Sequence, residues 1–116
     1  MAERTLREVC EMIGVSRRAV QGYERCGLVA PTGKTSRGYL LYDEEAQEKI
    51  RKIRQYQDYG FRVKEIGELF AAPPEEKLKT MNEKLKELVR KRKKIDGSMV
   101  FLAIEITNLE HSLKAQ

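Results

Sequence analysis

The sequence predicts a mainly α-helical chain in which two short helices fold over a tight turn, a small β-hairpin and two more helices follow, and one long coiled-coil helix ends the run. Three observations carry that prediction. Two apolar stripes of helical period are separated by Gly14 near the N-terminus, and a Gly-rich polar loop sits between short apolar stretches at 28–42. After Pro73-Pro74, apolar residues recur at alternating spacings of three and four almost to the end.

The first stretch is TLREVCEMIGVSRRAVQGYERCGL, residues 5–28. Thr5 is a good N-cap, with Glu8 placed as the reciprocal half of a capping box. Leu6, Val9, Cys10 and Ile13 form one apolar face, Gly14 stops the helix, and Val15 tucks inward. Ser16 caps a second helix that opens with exposed Arg17 and Arg18. Ala19, Val20 and Tyr23 form its inward stripe, and Gly27 closes it. A helix, a turn containing glycine, and a second helix led by arginines is the helix-turn-helix pattern, whose second helix enters a DNA major groove. Helix pairs in ordinary bundles share the outline, so the arginines carry the nucleic-acid reading.

Composition sets outer bounds. The 116 residues suit one small domain plus an accessory element, and a net charge of +5 with pI near 9.3 favours a polyanionic partner. Residues 1–74 hold 13 Lys/Arg against 11 Asp/Glu, net +2, and residues 75–116 hold 10 against 7, net +3. A DNA-facing surface must therefore come from segregation of charge. Two distant cysteines without a CxxC or a histidine partner predict a reduced, cytoplasmic protein with no metal framework. No apolar run approaches the roughly 20 residues of a membrane span, and no signal peptide is visible. There is no nucleophile–base pair and no phosphate-cradling glycine loop, so neither enzyme activity nor a cofactor is expected.

After Gly27 the period changes. Leu28–Pro31 and Tyr39–Tyr42 flank a Gly-rich basic loop, which predicts a β-hairpin standing beside the helix pair as a wing, with Lys34 and Arg37 near its tip. Asp43 caps a third helix, from about Glu44 to Tyr59, with Ala46, Ile50, Ile53 and Gln57 on one face. Gly60 ends it, Phe61 anchors the turn, and Val63–Ala71 forms a fourth helix with Val63, Ile66, Leu69 and Phe70 inward. Pro73-Pro74 marks the boundary between a winged helix-turn-helix domain, 1–74, and a coiled-coil segment, 75–116.

Within residues 5–74 the motifs Tyr23-Glu24-Arg25-Cys26-Gly27-Leu28-Val29, Arg37-Gly38-Tyr39-Leu40-Leu41-Tyr42 and Gln57-Asp58-Tyr59-Gly60-Phe61-Arg62-Val63-Lys64-Glu65-Ile66 occur in order. In these motifs the chain resembles the MerR family of bacterial winged-helix transcription regulators. The resemblance implies major-groove contacts from Ser16, Arg17, Arg18 and Gln21, where arginine reads guanine and glutamine reads adenine. It implies backbone contacts from Lys34, Arg37 and Tyr39 of the wing, and from Arg62 and Lys64 beside a second wing at Gly60. Tyr23 either donates to phosphate or packs in the core. Cys10 and Cys26 are expected to pack rather than sense redox state.

Three departures stand out. Gln21-Gly22 replaces an Arg-aromatic pair, Leu40 replaces an arginine in the wing, and the coil lacks the far-end cysteines of metal-binding members. The last argues against metal sensing. The first two favour the alternative function, a protein-interaction or architectural module that has lost promoter-specific readout. The preferred function is a transcription regulator that binds a pseudo-palindromic promoter as a homodimer and distorts the DNA, with RNA polymerase as a further partner.

The coil seam reads Leu78, Met81, Leu85, Leu88, Arg92, Ile95, Met99, Leu102, Ile106, Leu109 and Leu113, a heptad register broken only by Arg92. A helix from about Glu75 to Lys114 spans about 60 Å and cannot bury this stripe within one small domain. The expected partner is a second copy of the chain, and the resemblance implies an antiparallel arrangement. Asp96-Gly97-Ser98 allows a break, but the heptad keeps phase across it with Gly97 at an outer position, so one continuous helix is expected. Val100, Phe101 and Ile104 lie off the seam, facing either the partner's winged domain or a small effector groove. The basic run Arg90–Lys94 reads as a solvated face, and lone His111 has no ligand or catalytic case. With the chain ending in the coil, no separate ligand-binding domain is expected.

Overall fold

The computed structural model describes residues 2–116, which divide at Pro73/Pro74 into two compact units. In the first, elements follow as β1 (Arg4–Thr5), α1 (Leu6–Ile13), α2 (Arg17–Arg25), β2 (Gly33–Lys34), β3 (Leu40–Tyr42), α3 (Glu44–Asp58) and α4 (Val63–Ala71). The second is α5 alone, Pro74–Lys114.

Local chemistry sets the helix ends. Thr5 Oγ1 accepts from the Glu8 N–H at 3.3 Å while Glu8 Oε1 accepts from the Thr5 N–H at 2.8 Å, completing the capping box. The Thr5 N–H, and the Thr5 hydroxyl at 3.2 Å, both donate to this carboxylate and hold it below its ordinary value. Gly14 ends α1 at φ +81°, a conformation that favours glycine. Ser16 Oγ accepts from the Ala19 N–H at 3.0 Å, and Asp43 Oδ1 from the Ala46 N–H at 2.8 Å.

The sheet is antiparallel in the order β1-β3-β2, with Arg4 opposite Tyr42 and Gly33 opposite Leu41. This corrects the expected hairpin in two ways. Leu28–Pro31 forms no strand: Val29 is buried in the core, Pro31 has no N–H for a ladder, and pairing starts where the Thr32 N–H donates to Leu41 O at 2.8 Å. The segment before α1 supplies a third strand that a two-residue stretch does not announce.

The core gathers Val9, Val20, Tyr23, Tyr42, Ile50, Ile53 and Ile66, all essentially without solvent contact. Gln47 is buried with them, its amide donating to Ala2 O at 2.7 Å and Tyr42 O at 2.8 Å, so the polar group is satisfied. Tyr56 packs its ring against Tyr59, Phe61 and Phe70 at centroid distances of 5.8, 6.2 and 5.7 Å, locking the corner between α3 and α4. Cys10 is half-buried, and burial pushes its thiol up. Cys26 is exposed at the C-cap of α2, which corrects the packing expectation, because the residue lies past the last helical position, Arg25.

The unit α5 is a single helix of 41 residues, about 60 Å long, running without a break through Gly97. Pro74 opens it, where a missing N–H costs nothing. Its seam lies open: Leu78, Leu85, Ile95, Met99, Leu102, Leu109 and Leu113 are each about 60% exposed or more, Ile106 and Leu88 are also exposed, and Met81 is half-buried. No helix among the described residues is long and apolar enough to cross a membrane.

Candidate nucleic-acid interface

The helix α2 presents two faces. Val20 and Tyr23 are buried, while Ser16, Arg17, Arg18 and Gln21 are exposed, as the spacing requires of a helix seated on one side. Its N-terminus is fixed by the Ser16 cap, so Arg17 and Arg18 stand in its first turn.

The wing reaches the same surface. In the turn after β2 the Gly38 N–H donates to Thr35 O at 2.9 Å, and the Tyr39 N–H donates to Thr35 Oγ1 at 3.1 Å. Gly38 adopts φ +87°, so a side chain there would strain the tip. Lys34, Arg37 and Tyr39 are exposed, Tyr39 by 62%. Between wing and helix runs an open groove of about 620 Å³ lined by Thr5, Leu6, Arg7, Arg17, Gln21, Gly38, Tyr39 and Leu40. The structure thus brings Arg17, Gln21 and Tyr39 to one concavity. Leu40, which stands where the resemblance expects arginine, forms part of its floor.

Arg7, which the sequence does not single out, also lines this groove, its Nε 3.3 Å from Glu11 Oε1. Arg62 and Lys64 are exposed at the start of α4, where the Arg62 N–H donates to Glu65 Oε1 at 2.8 Å.

Tyr23 departs from the rest. It is 1% exposed and its hydroxyl donates to Gln57 Oε1 at 2.5 Å, so of its two expected roles the structure assigns packing. Its phenol is pushed up by burial. Tyr42 likewise donates to Glu24 Oε2 at 2.5 Å, and burial together with that carboxylate holds its proton well above the usual phenol range. Arg54 binds the turn between α1 and α2 from α3, with one N–H to Gly14 O at 3.1 Å and another to Asp58 at 3.2 Å. Three hydrogen bonds from outside the helix pair thus fix α2 and the turn before it. No group of three or more metal-ligating side chains occurs among the described residues.

Helix pair, flanking hairpin and exposed arginines define a winged helix-turn-helix unit, joined in sequence to a long helix with an unpaired heptad seam. Residues 4–72 match the MerR helix-turn-helix family of regulatory proteins, and the chain belongs to that family. It is 29% identical over 91 residues, 78% of this chain and 35% of the relative, to the HTH-type transcriptional activator mta of Bacillus subtilis. Among solved structures it resembles the N-terminal part of that organism's multidrug transporter activator, MtaN, at 25% identity and TM-score 0.67, covering 89% of this chain and 97% of that one. The fold is shared also with HiNmlR, a MerR family regulator lacking the sensor domain and bound to promoter DNA, at 16% identity and TM-score 0.69, covering 84% and 79%. The chain spans between a quarter and a half of the length of the curated relatives it matches.

Proposed function

We propose that this chain is a DNA-binding transcription regulator that acts in the cytoplasm without enzyme activity, engaging a pseudo-palindromic promoter as a homodimer joined through α5. The observation that carries the reading is the joint exposure of Arg17 and Gln21 on α2 with Tyr39 of the wing around one groove. A helix in the major groove lets Arg17, Arg18 and Gln21 meet base edges, while Lys34, Arg37, Arg62 and Lys64 neutralise phosphates. The exposed seam of α5 supports a second copy as partner, since a stripe this long is stable in water only when covered. Two recognition helices held at a fixed separation favour DNA bent or untwisted to meet them, which is how such a dimer would help or hinder polymerase.

The test is binding of genomic promoter fragments by the purified chain at several salt concentrations. A steep fall of affinity with salt, and loss of selected-site binding in Arg17→Ala/Arg18→Ala, is the expected result. A salt-independent interaction, or none, overturns it in favour of a protein-interaction module.

A further inference from the structure

The seam of α5 contains one charge. Arg92 occupies an inner a position, flanked by Leu88 and Ile95, and is exposed in the single chain. A parallel, in-register pair of such helices would set Arg92 against its own copy in one apolar layer, so the residue disfavours that arrangement. An antiparallel pair sets each a position opposite a d position of the other copy.

Two antiparallel alignments fill the seam equally. One sets Arg92 opposite Ile95 of the second copy, with Leu88 opposite Met99 and Leu85 opposite Leu102. The other, one heptad along, sets Arg92 opposite Leu102, Ile95 opposite Met99 and Leu88 opposite Ile106. Glu105 of the second copy meets a lysine either way, Lys84 or Lys91, so that row of charges does not choose.

Asp96 does choose. It flanks the seam on the same side as Arg92. In the first alignment Asp96 of the second copy lies about 1.5 Å along the axis from Arg92, within easy reach of the guanidinium. In the second it lies about 9 Å away, Arg92 is packed under leucine, and the two Asp96 carboxylates face each other within about 3 Å of axial offset. Like charges meet in the first alignment where Glu75 faces Glu110, at exposed ends where salt screens them, and at the centre, where the two Arg92 side chains lie about 4.5 Å apart along the axis but each stands beside an Asp96 of the other copy that offsets its charge.

We infer that Arg92 and Asp96 set the register between two copies of the chain, each Arg92 guanidinium pairing with Asp96 of the other copy. The inference rests on the homodimer reading and gives it an alignment. Register matters for DNA because a slip of one heptad shifts the N-terminal ends of the two helices, where the winged units join, by about 10 Å along the coil. Half-sites one helical turn apart, about 34 Å, do not tolerate that shift.

Arg92 and Asp96 are also four residues apart on one helix, so the test must separate pairing within a chain from pairing between chains. Full-length Arg92→Asp and Asp96→Arg are made separately and examined by sedimentation. Each alone is expected to dimerise at least tenfold more weakly than the unaltered chain. Mixed, they are expected to form a heterodimer of near-original affinity, because both cross-pairs are then restored while both within-chain pairs stay repulsive. No gain on mixing overturns the register. A monomeric unaltered chain at micromolar concentration overturns the homodimer reading instead. In a Cys10→Ser/Cys26→Ser background, Leu88→Cys/Met99→Cys should give a cross-linked dimer under oxidation. Preferential cross-linking of Leu88→Cys/Ile106→Cys overturns the assignment in favour of the slipped alignment.

Discussion

The Tyr42 hydroxyl donates to Glu24 Oε2 at 2.5 Å, tying the central strand of the sheet to the helix that carries Arg17, Arg18 and Gln21. Tyr23, the neighbour of Glu24, is tied to Gln57 of α3 at the same distance. Two adjacent residues of α2 thus fasten it to two different elements, and this holds its exposed face beside the wing.

Tyr42→Phe removes only that hydroxyl and leaves Glu24 without its donor. Glu24 is half-exposed, so water replaces part of the loss, and the expected cost is about 1 kcal/mol, the lower range for an orphaned polar group. Thermal unfolding followed by circular dichroism checks it; an unchanged Tm refutes the coupling.

Alkaline pH tests the same pair. Tyr23 and Tyr42 hold their protons more tightly when folded than in the unfolded chain, where a phenol titrates near pH 10. Above that pH the unfolded state releases protons first, so stability is full below about pH 10 and declines as pH rises further. Urea unfolding at pH 8, 10 and 11 should show the decline, shallower in Tyr42→Phe.

At acid pH the capping box supplies the opposite sign. The Glu8 carboxyl is held low by the Thr5 N–H and hydroxyl, so its contribution is present above the ordinary carboxylate range and fades as pH falls through the lower folded value. The stability difference between the unaltered chain and Glu8→Gln should therefore narrow on going from pH 7 to pH 3, as read by denaturant midpoints.

On DNA, Arg17→Ala and Arg18→Ala should each cost about 1–3 kcal/mol at a selected site if they contact bases, and relax its sequence preference. Lys34→Ala and Arg37→Ala should weaken all sequences alike and lower the salt slope by about one each. Fluorescence anisotropy across a salt series distinguishes the two patterns, and identical behaviour of both pairs counts against the division of roles.

Gly97 lies in an unbroken helix with nothing within 4 Å of where a Cβ would stand. Gly97→Ala should raise the stability of α5 by about 1 kcal/mol per chain without changing oligomeric state. A fall in thermal stability would show that the position needs glycine.

Much of the architecture was legible from short-range chemistry. Thr5 with Glu8, Ser16, Asp43, Gly14 and the heptad of α5 each speak through neighbours a turn or two away, and such contacts form wherever the chain is helical. The exposure of Arg17, Arg18 and Gln21 followed from the same periodicity, since the opposite face had to be buried. What tertiary structure decided lies at long range. Tyr23 meets Gln57 across 34 residues, Gln47 reaches Ala2 across 45, and β1 pairs with β3, a strand formed some 40 residues later. Sequence spacing offers no sign of such partners, because they are selected by the packing of a whole core around buried polar atoms that each require one. For the same reason the core took Tyr23, for which the sequence left both packing and a phosphate contact open, while the strand expected at Leu28–Pro31 gave way to one beyond the proline.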